Sequence, residues 1–496
     1  MKKIETKLKD CYILEPNRFE DNRGFFTPYY IDEEAKKLGF KGVVQTNRSG
    51  SSKGVLRGLH FQQNPRCQAK IVEVINGKAI DIVVDLRKDS STYGKYLAVE
   101  LSDKNHRQLF VPRGFAHGFI ALSDNTIFQY LVDNKYEKKL EAGIMWNDKD
   151  VNINWDEILF ENYIDEPIIS DKDQLHPTLK ENNVIFKNNF KYLITGYNGQ
   201  LGYEVKKQLL NDGVNEENIL AVDINEMDIT KEDEVLKIVK EFKPDTIFHC
   251  AAWTQVDKAE EPEFKDKCYN VNVNGTKNMV KAAKEVDAKI VYISTDYVFD
   301  GESKEEYKVD DKPNPKSVYG LTKFLGEEEV RKYENSFIIR TCGVFGINGN
   351  NFVKTMLKLS EKYNQITVVD DQIISPTYTK DLARVAYELS QTNKFGTYHC
   401  TNLGSCSWYE FASYILKDTN TKVIPVSTND YYGPQYKKAE EENRKLYIAH
   451  RPKDSVLDKS KLLSAGISLP QYWKEAVDEY IFELAQYENQ KPKIYK

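Results

Sequence analysis

Lys191-Tyr192-Leu193-Ile194-Thr195-Gly196-Tyr197-Asn198-Gly199-Gln200-Leu201-Gly202 decides how the C-terminal part of this chain folds. Lys191–Thr195 is a short apolar strand, and glycines at G-x-x-G-x-x-G spacing lead from it into a helix over Gln200–Leu210. A strand that turns on glycines into a helix start leaves backbone N–H groups without intrahelical partners, and these cradle a pyrophosphate. Gly196, Asn198, Gly199, Gln200, Leu201 and Gly202 are therefore candidate dinucleotide contacts. Reading onward, the strand Ile219–Asp223, the helix Val235–Phe242, the strand Thr246–Ala251, a long helix over Glu263–Val286 and the strand Lys289–Thr295 follow in turn. Such alternation builds a parallel, doubly wound α/β sheet of the Rossmann type. Asp223 ends the second strand, where a carboxylate binds adenosine ribose hydroxyls. No arginine follows it closely, so NADH is at least as acceptable as NADPH. Asp228, in Met227-Asp228-Ile229-Thr230, is placed near the adenine.

Reading backward from Lys191, the rhythm changes. Gln174 to Asn189 is polar, contains Pro177 and carries two Asn-Asn pairs. The linker is placed at residues 183–189, dividing a first domain, 1–182, from a second, 190–496. The first domain reads as β-structure. Ile71–Ile75 and Ala79–Asp85 are strand-like and joined by Asn76-Gly77, which predicts a hairpin. Short strands are also predicted at Tyr96–Leu101, Gln108–Val111 and Thr126–Val132. Many short strands with little helical periodicity predict a sandwich or closed barrel.

Composition narrows the function. At 496 residues the chain is long enough for two domains with separate cores. A net charge of -6 gives no basic footprint, so nucleic acid is not an expected partner. No run approaches ~20 apolar residues, and no apolar stretch follows Lys2-Lys3, so neither a membrane span nor a secretory signal is expected. Seven cysteines lack CxxC spacing, which fits buried free thiols in a reducing cytoplasm.

Two constellations carry chemistry. In the first domain, Gly54-Val55-Leu56-Arg57-Gly58-Leu59-His60-Phe61-Gln62 is followed by Gln68-Ala69-Lys70 and Pro112-Arg113-Gly114-Phe115-Ala116-His117-Gly118-Phe119. The Pro-x-Gly-x-x-His part resembles a cupin barrel segment. Gln62 stands where many cupins place a second histidine, so His60 and His117 lack a full ligand set and no metal is expected. In the second domain, Tyr319 and Lys323 share one helix face at i and i+4. The lysine can lower the tyrosine pKa and hold a nicotinamide ribose, while the tyrosine passes a proton to a carbonyl receiving hydride.

With Asp85-Leu86-Arg87, Asn105-x-Arg107-Gln108-Leu109, Trp146-Asn147-Asp148 and Ser170-Asp171-Lys172-Asp173, the first constellation resembles dTDP-4-dehydrorhamnose 3,5-epimerase over residues 5 to 180. That resemblance implies a cupin-type jelly roll that works as a homodimer. It implies a His60–Asp173 base, Lys70 at the enolate oxygen and Tyr130 as the acid. It further implies Arg23, Gln45, Asn47, Arg57 and His117 at a dTDP-sugar. Thr27-Pro28-Tyr29 departs from the family's Phe-Glu-Ser, so a glutamate facing substrate is absent.

The second constellation includes Ala251-Ala252-Trp253-Thr254-Gln255-Val256, Ser294-Thr295-Asp296-Tyr297, Tyr319-Gly320-Leu321-Thr322-Lys323 and Asn350-Asn351-Phe352. It resembles dTDP-4-dehydrorhamnose reductase, an extended short-chain dehydrogenase, over about 190 to 485. The resemblance implies a Thr295–Tyr319–Lys323 triad, cofactor contacts at Ala251 and Ala252, and sugar contacts at Thr254 and Val256. Gly343 departs from a family tryptophan that would pack on the sugar. Tyr431 to His450 is longer and more charged than usual and reads as a solvated insertion. The two resemblances together imply a cytoplasmic bifunctional enzyme of dTDP-L-rhamnose synthesis. A related deoxysugar pathway, or a reductase half kept as a regulatory subunit, are the alternatives. Intact Thr295, Tyr319 and Lys323 argue against the second.

Overall fold

The computed structural model describes residues 1–184, 186–187 and 189–490. The chain divides into two compact units, Met1–Asn189 and a second beginning at Phe190.

The first unit is two antiparallel sheets packed face to face. One runs in the order Lys2–Glu5, Tyr12–Glu15, Gln108–Val111, Lys70–Asn76, Thr126–Val132, Gln45–Ser51. The other runs Glu141–Gly143, Val55–Gln62, Phe115–Ala121, Lys78–Asp85, Tyr96–Ser102, with Ile168–Ile169 added in parallel beside Val55–Gln62. Val72, Val74, Leu109 and Phe128 of the first sheet meet Val83, Leu101, Phe115 and Phe119 of the second in the interior. Residues 144–184 and Phe186 wrap the outer face of the second sheet, where Trp155, Ile164, Leu179 and Phe186 cover Leu56, Ile82 and Val84. Burial on both faces explains why Ile80–Val84 is apolar almost without alternation.

Two expectations are corrected here. Asn76-Gly77 does not close a hairpin: Lys70–Asn76 pairs with Gln108–Val111 and Thr126–Val132. Lys78–Asp85 pairs with Phe115–Ala121 and Tyr96–Ser102 in the opposite sheet. Gly77, at φ +83°, is the corner where the chain crosses between sheets. The dipeptide reports a local turn, whereas the partners are chosen by burial on two faces. Nor is the stretch placed as linker free of the first unit. Phe186 is buried against Phe61, with ring centroids 5.5 Å apart, and its carbonyl accepts from Lys88 N at 2.8 Å. Residues 185 and 188 of that stretch lie outside the described residues.

In the second unit six parallel strands run in the order Ile219–Val222, Tyr192–Thr195, Thr246–His249, Lys289–Thr295, Ser336–Thr341, Gly396–His399. The order reverses at Tyr192–Thr195, which opens a crevice beyond the strand C-termini where ligands bind in such sheets. The long helix read over Glu263–Val286 runs from Pro262 to Glu285, widened into a π turn at Asn270–Gly275. Past the sheet, the short strand pairs Val344–Phe345/Thr377–Tyr378 and Ile373–Ile374/Cys406–Ser407 build a smaller lobe on the helices Phe352–Ser360 and Trp408–Ile415. The insertion carries the helix Thr428–Glu441, largely exposed, with Tyr432 turned toward Arg451. All seven cysteines are free, and six of them are buried. Among the described residues no helix is long and apolar enough to cross a membrane.

Candidate active sites

In the first unit Gln45, Asn47, Arg57, His60, Lys70, His117 and Tyr130 line one cavity of about 340 Å³. Register explains the convergence. His60 lies opposite His117, and Tyr130 opposite Asn47. Arg57 and His60 are three residues apart and would face opposite sides of a regular strand. The pairing slips between His117 and Phe119, so Phe119 meets Arg57, and this irregularity turns both side chains toward the cavity.

His60 Nε2 lies 2.7 Å from Asp173 Oδ1, while Asp173 Oδ2 accepts from Gly58 N at 3.2 Å. Burial pushes the Asp173 carboxyl up, but the hydrogen bond and charge of His60 and the Gly58 N–H hold it below the usual range. It is therefore ionised, and in the neutral form of the ring it accepts from His60 Nε2–H, the tautomer that leaves the Nδ1 lone pair free. His117 forms a second pair, Nε2 to Asp81 Oδ1 at 2.7 Å, fully buried. Its burial lowers the histidine pKa. Burial pushes the Lys70 ammonium down to about 8, against the pull of Asp81. Tyr130 Oη sits 3.3 Å from Ser49 Oγ.

Arg23 is not brought to this cavity. It lies on the hairpin Phe19–Asp21/Gly24–Phe26, 86% exposed and paired with Asp21. Sequence reading missed three nearby groups. Asp81 had a signal, an acid inside an otherwise apolar strand. Glu141, which lines the cavity and pairs with Lys172 at 2.6 Å, and His176, beside the dyad, had none. His60, Asp173 and His176 also form a group whose donor atoms could hold a metal ion.

In the second unit a cavity of about 1060 Å³ lies at the sheet's switch point. Gly196, Gly199, Gln200, Leu201, Gly202, Asp223, Asp228, Ala251, Ala252, Thr254, Val256, Thr295, Tyr319 and Lys323 all line it. Asn198 does not, and instead its N–H donates to Asp223 Oδ2 at 3.2 Å. Gly196 has φ +65°, and a Cβ there would stand 2.8 Å from Ala251 backbone atoms. The glycines therefore keep the crevice open for a pyrophosphate at the start of the helix Gln200–Asn211. A dinucleotide fits this donor set. Asn272, in the π turn, accepts from Trp253 N at 2.8 Å and so fixes the Ala251–Ala252 wall.

Tyr319 and Thr295 line the cavity together, Thr295 Oγ1 donates to Asp296 Oδ1 at 2.9 Å, and burial raises the Tyr319 pKa. Lys323 is enclosed, 4.1 Å from the Tyr292 ring centroid, and desolvation pushes its ammonium down to about 7. Trp408, missed from the sequence, lines the same cavity beside Phe352 of the Asn350-Asn351-Phe352 motif, with ring centroids 4.6 Å apart. A Cβ on Gly343 would lie 3.9 Å from Trp408. An aromatic wall thus stands beside the position where the family tryptophan is absent.

Comparison with known proteins matches both units. The family model described as RmlD substrate binding domain matches residues 190–486, and that of dTDP-4-dehydrorhamnose 3,5-epimerase matches residues 5–181. A spore coat polysaccharide biosynthesis protein of Bacillus subtilis is 39% identical over 296 residues, 59% of this chain and 97% of its own length. A dTDP-4-dehydrorhamnose 3,5-epimerase of Shigella flexneri is 46% identical over 178 residues, 35% of this chain and 93% of its own. The crystal structure of dTDP-4-dehydrorhamnose reductase from Bacillus anthracis, in complex with NADP, is 38% identical with a TM-score of 0.54. It covers 60% of this chain and 99% of that one.

Proposed function

The chain belongs to the RmlD reductase family and carries a 3,5-epimerase domain ahead of it, and we propose that it converts dTDP-4-dehydro-6-deoxy-D-glucose to dTDP-L-rhamnose in two ordered steps. The observation that carries this reading is that His60, Lys70 and Tyr130 line one cavity in the first unit and Thr295, Tyr319 and Lys323 line another in the second.

In the first step the C4 ketone acidifies the C3 and C5 protons. His60, held by Asp173 with Nδ1 free, removes a proton. The Lys70 ammonium meets the enolate oxygen, and Tyr130 returns a proton from the other side of the cavity. His117, Gln45, Asn47 and Arg57 hold the sugar nucleotide, the arginine suiting its diphosphate.

In the second step Gly196, Gly199, Gln200, Leu201, Gly202, Ala251 and Ala252 would hold a dinucleotide, with Asp223 for its ribose and Asp228 for its adenine. When bound, NADH or NADPH supplies the hydride that reduces C4. Tyr319 gives a proton to the ketone oxygen, Thr295 aligns that hydroxyl, and Lys323 holds the ribose and favours proton release. Thr254 and Val256 border the sugar. Domains of 1–182 and 190–496 suffice for the two steps, and the cytoplasm, which holds nucleotide sugars and nicotinamides, is the compartment this implies.

Arg23 reaches substrate only if its exposed hairpin, with Phe19, Phe25 and Phe26 also exposed, enters the cavity of a second copy. The reading therefore includes a homodimer through the epimerase unit; a monomer mass by light scattering would remove Arg23 from the site.

The decisive test mixes two full-length variants. His60→Ala alone should not oxidise NADH with the un-epimerised ketone, and neither should Tyr319→Phe. Mixed, they should restore oxidation, because one supplies the epimerised ketone to the other. Native-rate reduction by His60→Ala alone would mean that the reductase acts directly on a different sugar.

A further inference from the structure

His176 stands beside the epimerisation dyad without a part in its chemistry. It follows Asp173 by three residues, and its ring stands edge-on to that of His60 with centroids 5.4 Å apart. Its Nε2 is 3.7 Å from the same Asp173 oxygen that His60 contacts. That nitrogen is buried and has no hydrogen-bond partner among the described residues. Gly143, the register partner of His60 on the neighbouring strand, leaves the space around it: a Cβ there would lie 2.7 Å from His176 Nε2. The donor atoms of His60, Asp173 and His176 all fall within 4.8 Å of one another.

We propose that His60, Asp173 and His176 form a binding site for a divalent transition ion of the zinc type, and that the bound ion switches the epimerase unit off. Two imidazoles and a carboxylate suit zinc, nickel or cobalt over magnesium or calcium. Ligands about 2.0–2.2 Å from a tetrahedral zinc stand roughly 3.3–3.5 Å apart. The separations from Asp173 Oδ1, 2.7 Å to His60 Nε2 and 3.7 Å to His176 Nε2, bracket that spacing. The inhibition follows from the imidazole itself. In the active dyad the ring's single proton sits on Nε2, facing Asp173, and Nδ1 is the base. A metal on Nε2 forces that proton to Nδ1, which leaves no lone pair for the substrate. This switch rests on the reading of His60 as the base.

The test uses the full-length chain stripped of metal by EDTA, with Co²⁺ as a visible-absorbing probe and Zn²⁺ as inhibitor. Wild type should take up Co²⁺ with the intense absorption of a tetrahedral site. Zn²⁺ should suppress solvent-deuterium exchange at C3 in step with occupancy, and EDTA should restore it. His176→Asn and His176→Gln, two variants in case one folds poorly, should exchange C3 without metal. They should bind Co²⁺ at least about 10- to 100-fold more weakly and resist Zn²⁺. Reduction of the pre-epimerised ketone should not respond to Zn²⁺ in any of the three. Equal Co²⁺ affinity in wild type and both variants would overturn the site. Undiminished C3 exchange by fully loaded wild type would overturn the switch. Metal-free His60→Ala that still exchanges C3 would instead remove the base assignment, and the Co²⁺ spectrum would then judge the site alone.

Discussion

Asp173→Asn isolates the base of the first step. The amide keeps the size of the carboxylate and an oxygen for the Gly58 N–H, now 3.2 Å away, so the strand packing around it should persist. What changes is the partner offered to His60 Nε2 at 2.7 Å. A carboxylate there accepts a proton and stabilises the imidazolium formed when substrate is deprotonated; an amide NH₂ donates and favours the tautomer with Nδ1 protonated. Asp173 is buried, so water does not compensate. A hydrogen bond to a charged group is worth about 1.5–3 kcal/mol, roughly 10- to 150-fold in rate, and the tautomer change adds to that loss. The assay is proton–deuterium exchange at C3 of the 4-ketosugar nucleotide in D₂O, followed by NMR without nicotinamide, so the reductase cannot contribute. Exchange within about threefold of wild type would show that the 2.7 Å contact only positions His60, and the base would have to be sought elsewhere in the cavity.

Three further outcomes follow from the same geometry. Tyr130→Phe should keep C3 exchange and lose inversion at C5; equal loss of both would deny it a separate role as acid. Asp223→Ala should weaken NADH more than NADPH, since the carboxylate that holds ribose hydroxyls repels a 2′-phosphate, and an unchanged preference by fluorescence titration would misplace the ribose. Lys323 carries charge below its depressed pKa of about 7 and loses it above, while burial keeps Tyr319 protonated well past that point. The kcat/KM for reduction should therefore fall as pH rises through about 7 in the free enzyme, and Lys323→Arg should move that limb upward. A limb that stays in place would assign it to another group.

The parallel sheet of the second unit is legible because its strands are buried on both faces. Tyr192–Thr195 and Lys289–Thr295 read as apolar runs bounded by polar turns. Its cofactor crevice is legible for a related reason: Gly196 to Gly202 and Asp223 are local features at a strand end. The first unit hides more. Asn76-Gly77 has the chemistry of a hairpin but turns a corner between sheets, since no local pattern reports which strand a neighbour will pair with. Arg57 and His60 share a cavity only through the register slip near His117. Asp173 lies 113 residues from His60 and came only through resemblance. Trp408, 65 residues beyond Gly343 in the chain, carries no sequence sign that it stands at the same wall.

The order of the two steps is enforced by the substrate more than by the protein. Both sets of residues act on one functional group, the C4 ketone. While it is present, the C3 and C5 protons are acidic enough for a side-chain base, the role proposed for His60, and every inversion is reversible. Once the ketone is reduced, an alcohol replaces it, and no enolate can form beside it. Reduction therefore fixes whichever stereochemistry the second cavity accepts. In the proposed reading selection would fall on Thr254, Val256 and the Trp408–Phe352 wall, which line the cavity with Tyr319. An epimerase that only equilibrates needs such a trap to yield one product, and the trap works whether the ketone passes between units of one chain or through solvent to another. That is why two variants, each lacking one step, should complement each other when mixed.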